Sequence, residues 1–542
     1  MEKTTQLNRG LIPARRAGWL LCAFSAARSV AAVGLAYTTR SLINCAVYGG
    51  DWLKWGVLLI ALTTAIPVLS ALCSAYAFYA TDRTACAIRL ELLHILGQKD
   101  CQSVNAMHSG VLHSRLGDCR VLVERYTHVF PELARQIVQL VGASAVLALL
   151  HFGLTACILA FGVSAVVVGY CIRRRLKQFH ADVRTHAESL SAELTEQLEQ
   201  NELLRCSTDR SVIFRRIEQR QTNWLTALRK LLRFSLTASM LFSIVLHIAS
   251  AAMILWGVNR IRIGVMAFGD FTAMIELVAL FRAPISALSG AQSRLAASDT
   301  ARERLEALYQ LPDEAALPFP EGDVVAEKLV FEDVTFSYSA EEAPVFEHFS
   351  TQIDLRHWTC LTGMSGKGKS TLYRLILGLY RPQSGRIYLV TDRGEYPVSS
   401  SSRRLFAFVP QSPVLFSGTI RENLLLFAPN ATDAAIDRAM QQARCEFIDT
   451  LPDGLETELG QFGEGLSIGQ RQRLAIARAL LMQRRVLLLD EITSALDGEN
   501  ADGVVEALLA SCHCAIFSTH HPELLEGCGA DTLCLEDCDG TD

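Results

Sequence analysis

The sequence predicts two parts of different class: a polytopic α-helical membrane domain of six spans with long cytoplasmic extensions, then an α/β domain built on a glycine-rich loop. Three observations carry this. At 542 residues, with 50% hydrophobic side chains and a mean hydropathy of +0.24, the chain is too long for one ordinary domain and too apolar for an average soluble one. Its first half holds six long apolar stretches. Its second half holds "LTGMSGKGKSTLYRLILGLY" (residues 361–380), in which a glycine-rich loop ends in Lys-Ser-Thr and runs into an apolar helix. The net charge of −5 is small for this size and gives no reason to expect a nucleic-acid partner. The 16 cysteines are scattered, many through apolar segments, and read as small buried residues in a reducing compartment.

The N-terminal "MEKTTQLNRGLIPARRAGWLLCAFSAARSV" has the basic-then-apolar order of a signal peptide. Arg28 interrupts it, the apolar run continues to Tyr37, and further spans follow, so it reads as a retained first span. A span needs about 20 apolar residues to cross a hydrocarbon core of about 30 Å. Six segments qualify: Trp19–Tyr37, Trp55–Ala80, Leu133–Phe152, Leu154–Ile172, Phe234–Val258 and Phe268–Leu288. The connections 82–131 and 173–233 carry six and thirteen Lys or Arg residues, whereas those opposite carry few, among them Lys54, Arg260 and Arg262. Both termini and both long connections should therefore be cytoplasmic. In "AIRLELLHILGQKD" and "RTHAESLSAELTEQLEQNELL" apolar residues recur at spacings of three and four, so the spans should continue as helices beyond the membrane. The Pro-bearing acidic stretch 312–326 then reads as a linker between a transmembrane domain (1–311) and an α/β domain (327–542), where β-rich runs alternate with helical patterns.

GxxxxGKS is matched by Gly363, Gly368, Lys369 and Ser370, with Ser365, Gly366, Lys367 and Thr371 completing the loop and first turn. Glycines let backbone N–H groups curl around phosphates, the helix N-terminus adds positive potential, Lys369 reaches the β and γ phosphates, and the Ser370 hydroxyl can ligate Mg²⁺. "RRVLLLDE" is an apolar strand ending in Asp490 and Glu491. Carboxylates at the C-terminal end of a parallel strand lie near the phosphates, where Asp490 can hold Mg²⁺ and Glu491 can polarise an attacking water.

"LSIGQRQRLAIARALL" (466–481) resembles the signature of the ATP-binding cassette family, usually written LSGGQ. The remaining pieces follow in that family's order. Tyr338 resembles the aromatic that stacks on adenine, and Gln411 the glutamine loop, which the resemblance makes a Mg²⁺ ligand and a catalytic group. "SALD", with Asp497, resembles the D-loop, and His520 in "FSTHH" the switch histidine. The membrane half is similar as well, so the resemblance to a six-span exporter half-transporter covers almost the whole chain. It implies ATP and Mg²⁺ as cofactors and a second half-transporter as partner. Two ATP molecules would be sandwiched between one copy's phosphate loop and the other's Ser467, Gly469 and Gln470. Helices near 107–115 and 201–208 would dock on the nucleotide-binding domains. The implied setting is a lipid bilayer, the bacterial inner membrane, and the cargo a peptide, lipid-like or other amphiphilic small molecule.

Some positions depart from the pattern. Ile468 and Lys367 stand where small residues are usual, and Gln461 and Phe462 replace a Glu and an Arg in "TELGQFGEG" (457–465). The chain stops about 20 residues after His520, so contacts between the two nucleotide-binding domains without ATP should be weaker than in longer relatives. Cys512, His513, Cys514, Cys528, Cys534 and Cys538 match no standard zinc spacing. An importer on the same fold, half of a heterodimeric exporter, and an ATP-gated regulatory membrane protein are the competing functions. A soluble ATPase would share the cassette but not the spans. Arg28, Glu276 and Arg282 lie within spans, and the expectation is that at least one faces the cargo cavity and that Arg28 pairs with Glu276.

Overall fold

The computed structural model describes residues 2–107, 109–153, 155–156, 175–176, 178–187, 189–191, 193–194, 196–197, 206, 211–339, 342–364, 366–493, 498–511, 514–519 and 529–535. The chain divides into two compact units, one of 1–95 with 109–310 and one of 96–108 with 311–542.

The first unit is helical. Among the described residues its elements are α1 (Glu2–Gly10), α2 (Ile12–Tyr48) and α3 (Trp52–Leu96), then, after a short helix α4 (Cys101–Asn105) that belongs to the other unit, α5 (Ser109–Glu124), α6 (Phe130–Leu150), α7 (Ser211–Arg262), α8 (Phe268–Leu280) and α9 (Arg282–Gln310). Among the described residues four helices are long and apolar enough to cross a membrane: Gln6–Tyr48, Trp52–Leu96, Gly110–Leu150 and Ser211–Arg262. They extend beyond the expected spans 1, 2, 3 and 5, and after span 2 the helix runs on to Leu96 as the periodicity of "AIRLELLHILGQKD" required. The expected fourth span lies almost wholly outside the described residues. The sixth is not one helix. It breaks at Phe281, and α8, at 13 residues, covers only about 20 Å. Pro284 is the cause, because it has no N–H to give to the carbonyl of Leu280, four residues earlier. That carbonyl instead accepts a hydrogen bond from Gln139 Nε2 of α6 at 3.0 Å.

Helix α2 packs along α6 and α8 around Val33, Ala36, Ala143, Leu147, Met274 and Leu277. Its far end is tied to α8 by polar contacts. Arg40 pairs with Asp270, and the Gly269 N–H donates to Asn44 Oδ1 at 3.1 Å. A Cβ at Gly269 would stand 2.6 Å from the Arg40 carbonyl oxygen, so only glycine permits this approach. Glu276 meets the Thr39 hydroxyl, and Arg28 donates to Ser70 Oγ at 2.7 Å. The expected Arg28–Glu276 pair is therefore not formed: the register between α2 and α8 gives Glu276 a partner eleven residues along from Arg28. Arg282 lies at the start of α9.

The second unit holds strands β1 (Ala326–Phe336), β2 (Phe346–Asp354), β3 (Thr359–Thr362), β4 (Ser384–Thr391), β5 (Gly394–Pro397), β6 (Phe406–Val409), β7 (Gly418–Thr419), β8 (Glu458–Leu459), β9 (Val486–Asp490), β10 (Ala515–Ser518) and β11 (Asp531–Cys534). Four form an antiparallel sheet, ordered β2-β1-β4-β5, and five a parallel sheet, ordered β11-β3-β10-β9-β6. Every residue of β9 is buried, as its unbroken apolar run requires of a strand covered on both faces. Among the described residues the unit also has helices α10 (Lys369–Ile376), α11 (Ile420–Leu425), α12 (Asp433–Gln442), α13 (Ile468–Leu481) and α14 (Gly498–Ser511), besides α4.

The helix α4 is the docking element expected near 107–115, placed earlier than predicted. Asp100 caps it by accepting from the Ser103 N–H at 2.9 Å. Gln102 donates to the Tyr338 carbonyl and Asn105 to the Tyr380 hydroxyl, each at 3.3 Å. The Lys99 ammonium, 4% exposed, binds the Leu311 carbonyl at 2.8 Å and Asp313 at 2.6 Å, which pins this segment to the start of the linker. Residues 109–124 form α5 in the other unit, and the second expected docking helix, 201–208, lies outside the described residues apart from 206.

Candidate functional site

Parallel pairing decides which side chains meet. The register sets Ser518 of β10 beside Asp490 of β9 and beside Leu361 of β3, so all three chains leave the sheet at one level. The glycine-rich loop follows β3, and Gly363, Gly366 and Gly368 have φ of +143°, +89° and +94°. At Gly368 a Cβ would come within 2.8 Å of the Phe346 ring and of Val345, so this position needs glycine for space as well as for conformation. Lys369, the first residue of α10, is 5% exposed, and its ammonium donates to the Gly363 carbonyl at 2.8 Å, drawing the loop into a ring.

Two carboxylates face that ring. Asp490 is 3% exposed and accepts hydrogen bonds from Ser370 and from Ser518 Oγ, the latter at 2.9 Å. Burial pushes its carboxyl above the usual range, and the two hydroxyls offset part of that. Glu491 has φ of +49°, an uncommon conformation for a residue with a Cβ. Its N–H is held by the Ser518 carbonyl at 3.1 Å and the Ser518 hydroxyl at 3.0 Å. The turn brings the Glu491 carboxylate to 3.2 Å from Lys369 Nζ, while Gln411 Nε2 donates to its other oxygen at 2.6 Å. Lys369, Ser370, Gln411, Asp490 and Glu491 thus converge from three separate segments.

Tyr338 is placed differently from a ring standing open for a base. Its hydroxyl bonds Thr371 Oγ1 at 2.8 Å and accepts from Arg374 Nη1 at 2.7 Å, and its ring meets Phe336 and Tyr380 edge-on. The guanidinium of Arg374 lies over both tyrosines. Ser467 caps α13 by accepting from the Gln470 N–H at 3.2 Å, and Gln470 returns the bond to the Ser467 N–H at 2.9 Å, leaving Gly469 in the first turn. Beside it Ile468 is 57% and Phe462 72% exposed, so both departures from the family pattern lie on the surface. Lys367 lies in the loop, and Gln461 opens a single helical turn. Ser365, Asp497 and His520 lie outside the described residues.

Sequence reasoning missed Ser518 and Tyr373. The phenol of Tyr373, fully buried, donates to the Leu489 and Ile516 carbonyls at 2.9 and 3.2 Å and so ties α10 to β9 and β10. The donor set fits ATP with Mg²⁺. Loop glycines at positive φ expose successive amides, a buried ammonium faces the loop, and a buried carboxylate with an adjacent hydroxyl suits a hard cation.

A family model of the ABC transporter transmembrane region matches residues 19–285, and one of the ABC transporter matches 346–494. The ABC multidrug transporter mdr2 of Aspergillus fumigatus is 37% identical over 264 residues, 48% of this chain and 33% of that one. The mycobactin import ATP-binding/permease protein IrtB of Mycobacterium tuberculosis is 34% identical over 288 residues, 53% of this chain and 50% of that one. The ATP-dependent lipid A-core flippase of Idiomarina loihiensis is 34% identical over 304 residues, 55% and 50% of the two chains. The chain thus spans between a third and a half of the length of these relatives. A bacterial Atm1-family ABC exporter solved with ATP bound shares the fold, with a TM-score of 0.77 over 97% of this chain and 93% of that one at 22% identity. With a transmembrane region followed by a nucleotide-binding domain, the chain is an integral membrane protein and belongs to the ABC transporter family as a half-transporter.

Proposed function

We propose that this chain is an ATP-driven exporter that works by alternating access as a dimer of half-transporters, with a homodimer favoured because Tyr338, Lys369, Gln411, Ser467, Gly469, Glu491 and His520 are all present in the sequence. The observation that carries the reading is the meeting of Lys369, Gln411 and Glu491 beside a buried Asp490. In this scheme Lys369 and the loop amides bind the β and γ phosphates, and Tyr338 stacks on the base once Arg374 moves off its ring. Ser370, Gln411 and Asp490 hold Mg²⁺, which neutralises phosphate charge when bound. Glu491 accepts a proton from the attacking water, aided by His520. Ser467 and Gly469 of a second copy close over the γ-phosphate, with Asp497 at the same face, so binding favours the closed dimer. A full switch needs about 5.5 kcal/mol of differential affinity.

Loss of the γ-phosphate removes that bias and resets the transporter. The nucleotide-binding domain and N-terminus would be cytoplasmic, in a bacterial inner membrane, and the cargo an amphiphile, peptide or lipid. The relative named for mycobactin import supports a second reading, uptake on the same fold; transport direction in inside-out vesicles separates the two.

The test is two variants in lipid nanodiscs. Glu491→Gln is expected to bind ATP, accumulate the closed dimer and turn over at about a hundredth of the parent rate or less. Lys369→Ala is expected to lose ATP binding itself. Near-normal turnover in Glu491→Gln would rule out Glu491 as the base.

A further inference from the structure

Among the described residues of the membrane unit, α2, α3 and α6 bring together a polar cluster with more positive than negative charge. Arg28 of α2 donates to the Ser70 hydroxyl of α3 and lies within electrostatic reach of Arg135 and Glu132 of α6. Glu132 is already engaged: it accepts from Arg135 at 2.5 and 2.9 Å and from Gln136 at 2.5 Å. Arg135 further donates to Gln139 at 3.1 Å, and its carbonyl accepts from Ser29 at 2.7 Å. Two guanidiniums therefore share one carboxylate, and Arg28 is left with a neutral hydroxyl. Gln136 is 3% exposed and its Oε1 has no hydrogen-bond partner among the described residues.

A charge at mid-membrane costs about 2.5 to 3.5 kcal/mol on insertion scales and seldom faces lipid. Arg28 lies nine residues inside the apolar stretch that begins at Trp19, at the level of Glu132 and Arg135 at the start of the third span. The cluster is not sealed, since the side chains of Arg135 and Glu132 retain 18% and 34% exposure. Excess positive charge, spare guanidinium donors, an orphan acceptor and partial access together describe a site short of an anion.

We propose that Arg28 and Arg135 form the anion-binding part of the cargo site and take an amphiphile bearing a phosphate or carboxylate, whose neighbouring hydroxyl or amide is received by Gln136. The proposal rests on the transport reading, but its binding arm does not need ATP. Glu132 tunes the site by cancelling half of its charge.

The experiment uses the full chain in zwitterionic nanodiscs, titrated calorimetrically with octyl phosphate and, as neutral and cationic counterparts, octyl glucoside and octyltrimethylammonium, all below their micellar concentrations. Basal ATPase and thermal stability are measured on the same samples. Octyl phosphate is expected to bind in preference to both counterparts. Arg28→Gln should weaken it about tenfold or more, as loss of a charged hydrogen bond implies, Arg28→Lys should restore part of the loss, and Glu132→Gln should tighten it. A purely structural tie between helices predicts the reverse pattern: both neutral variants lose stability and neither changes the preference among the three amphiphiles. That result overturns the proposal, as does equal binding of all three by the parent. Nanodiscs containing phosphatidylglycerol separate the sources of the anion. Competition with octyl phosphate assigns the site to a lipid headgroup, absence of competition to a non-lipid cargo, and either supports anion binding. Charge-dependent binding in a protein without ATPase activity would refute the ATP-driven transport reading and leave the anion site standing.

Discussion

Replacing Ser518 by alanine tests how the Asp490 and Glu491 carboxylates are held. The side chain is fully buried, so the change opens a gap the size of one hydroxyl and admits no water from bulk. The hydroxyl donates to Asp490 Oδ1 at 2.9 Å and accepts the Glu491 N–H at 3.0 Å. The second function is duplicated, because the Ser518 carbonyl takes the same N–H at 3.1 Å, so the turn at Glu491 should survive. The first is not. A hydrogen bond to a charged group contributes about 1.5 to 3 kcal/mol, and the Asp490 carboxyl, already raised by burial, would rise further. The expected result is a Mg²⁺ requirement shifted upward by about tenfold or more, with turnover restored at saturating Mg²⁺ to within a few-fold of the parent. The assay is steady-state ATPase in nanodiscs across a Mg²⁺ titration at fixed ATP, with nucleotide binding followed separately. An unchanged Mg²⁺ midpoint would refute the assignment of Ser518 as the residue that orients the metal-binding carboxylate.

Gly368→Ala places a methyl within 2.8 Å of Phe346 and Val345 at φ of +94°, and should abolish nucleotide binding measured by a fluorescent ATP analogue, while the melting temperature falls by only a few degrees. Tyr373→Phe removes a buried phenol hydrogen bond and should cost about 1 kcal/mol, read as a lower denaturant midpoint, with ATP affinity little changed. Asn105→Ala should speed amide hydrogen exchange across 101–105 while leaving the exchange of β9 and β10 untouched; equal exchange in variant and parent would mean that the Tyr380 contact does not hold α4.

The phosphate loop and the strand before Asp490 were legible because their chemistry is local. A loop of amides needs glycines at fixed spacing, and a strand covered on both faces needs an unbroken apolar run. Ser518 could not be read in the same way. In "FSTHH" it is one small polar residue at the end of a strand, and its role appears only once β10 pairs with β9 in the register that sets it beside Asp490. The docking helix was placed late for a similar reason: "CQSVN" is too short to show a period, and what defines it is contact with Tyr338 and Tyr380, more than two hundred residues away. Pairing Arg28 with Glu276 failed because charge sign does not give the axial register of two helices. The break at Phe281 was legible in principle. Pro284 names the carbonyl it leaves unsatisfied, but not that Gln139 takes it.

That break gives the last membrane segment a joint. On its far side α8 is clamped to α2 by Arg40, Asn44 and Thr39, and on its near side α9 begins as a separate rod. Displacement entering α9 from Gln310 can be spent as rotation about Phe281, with Gln139 bearing the one bond a continuous helix would have made for itself. A rigid rod would lever both ends of the segment at once. A jointed one lets the α9 end change direction while the α8 end stays fastened to α2.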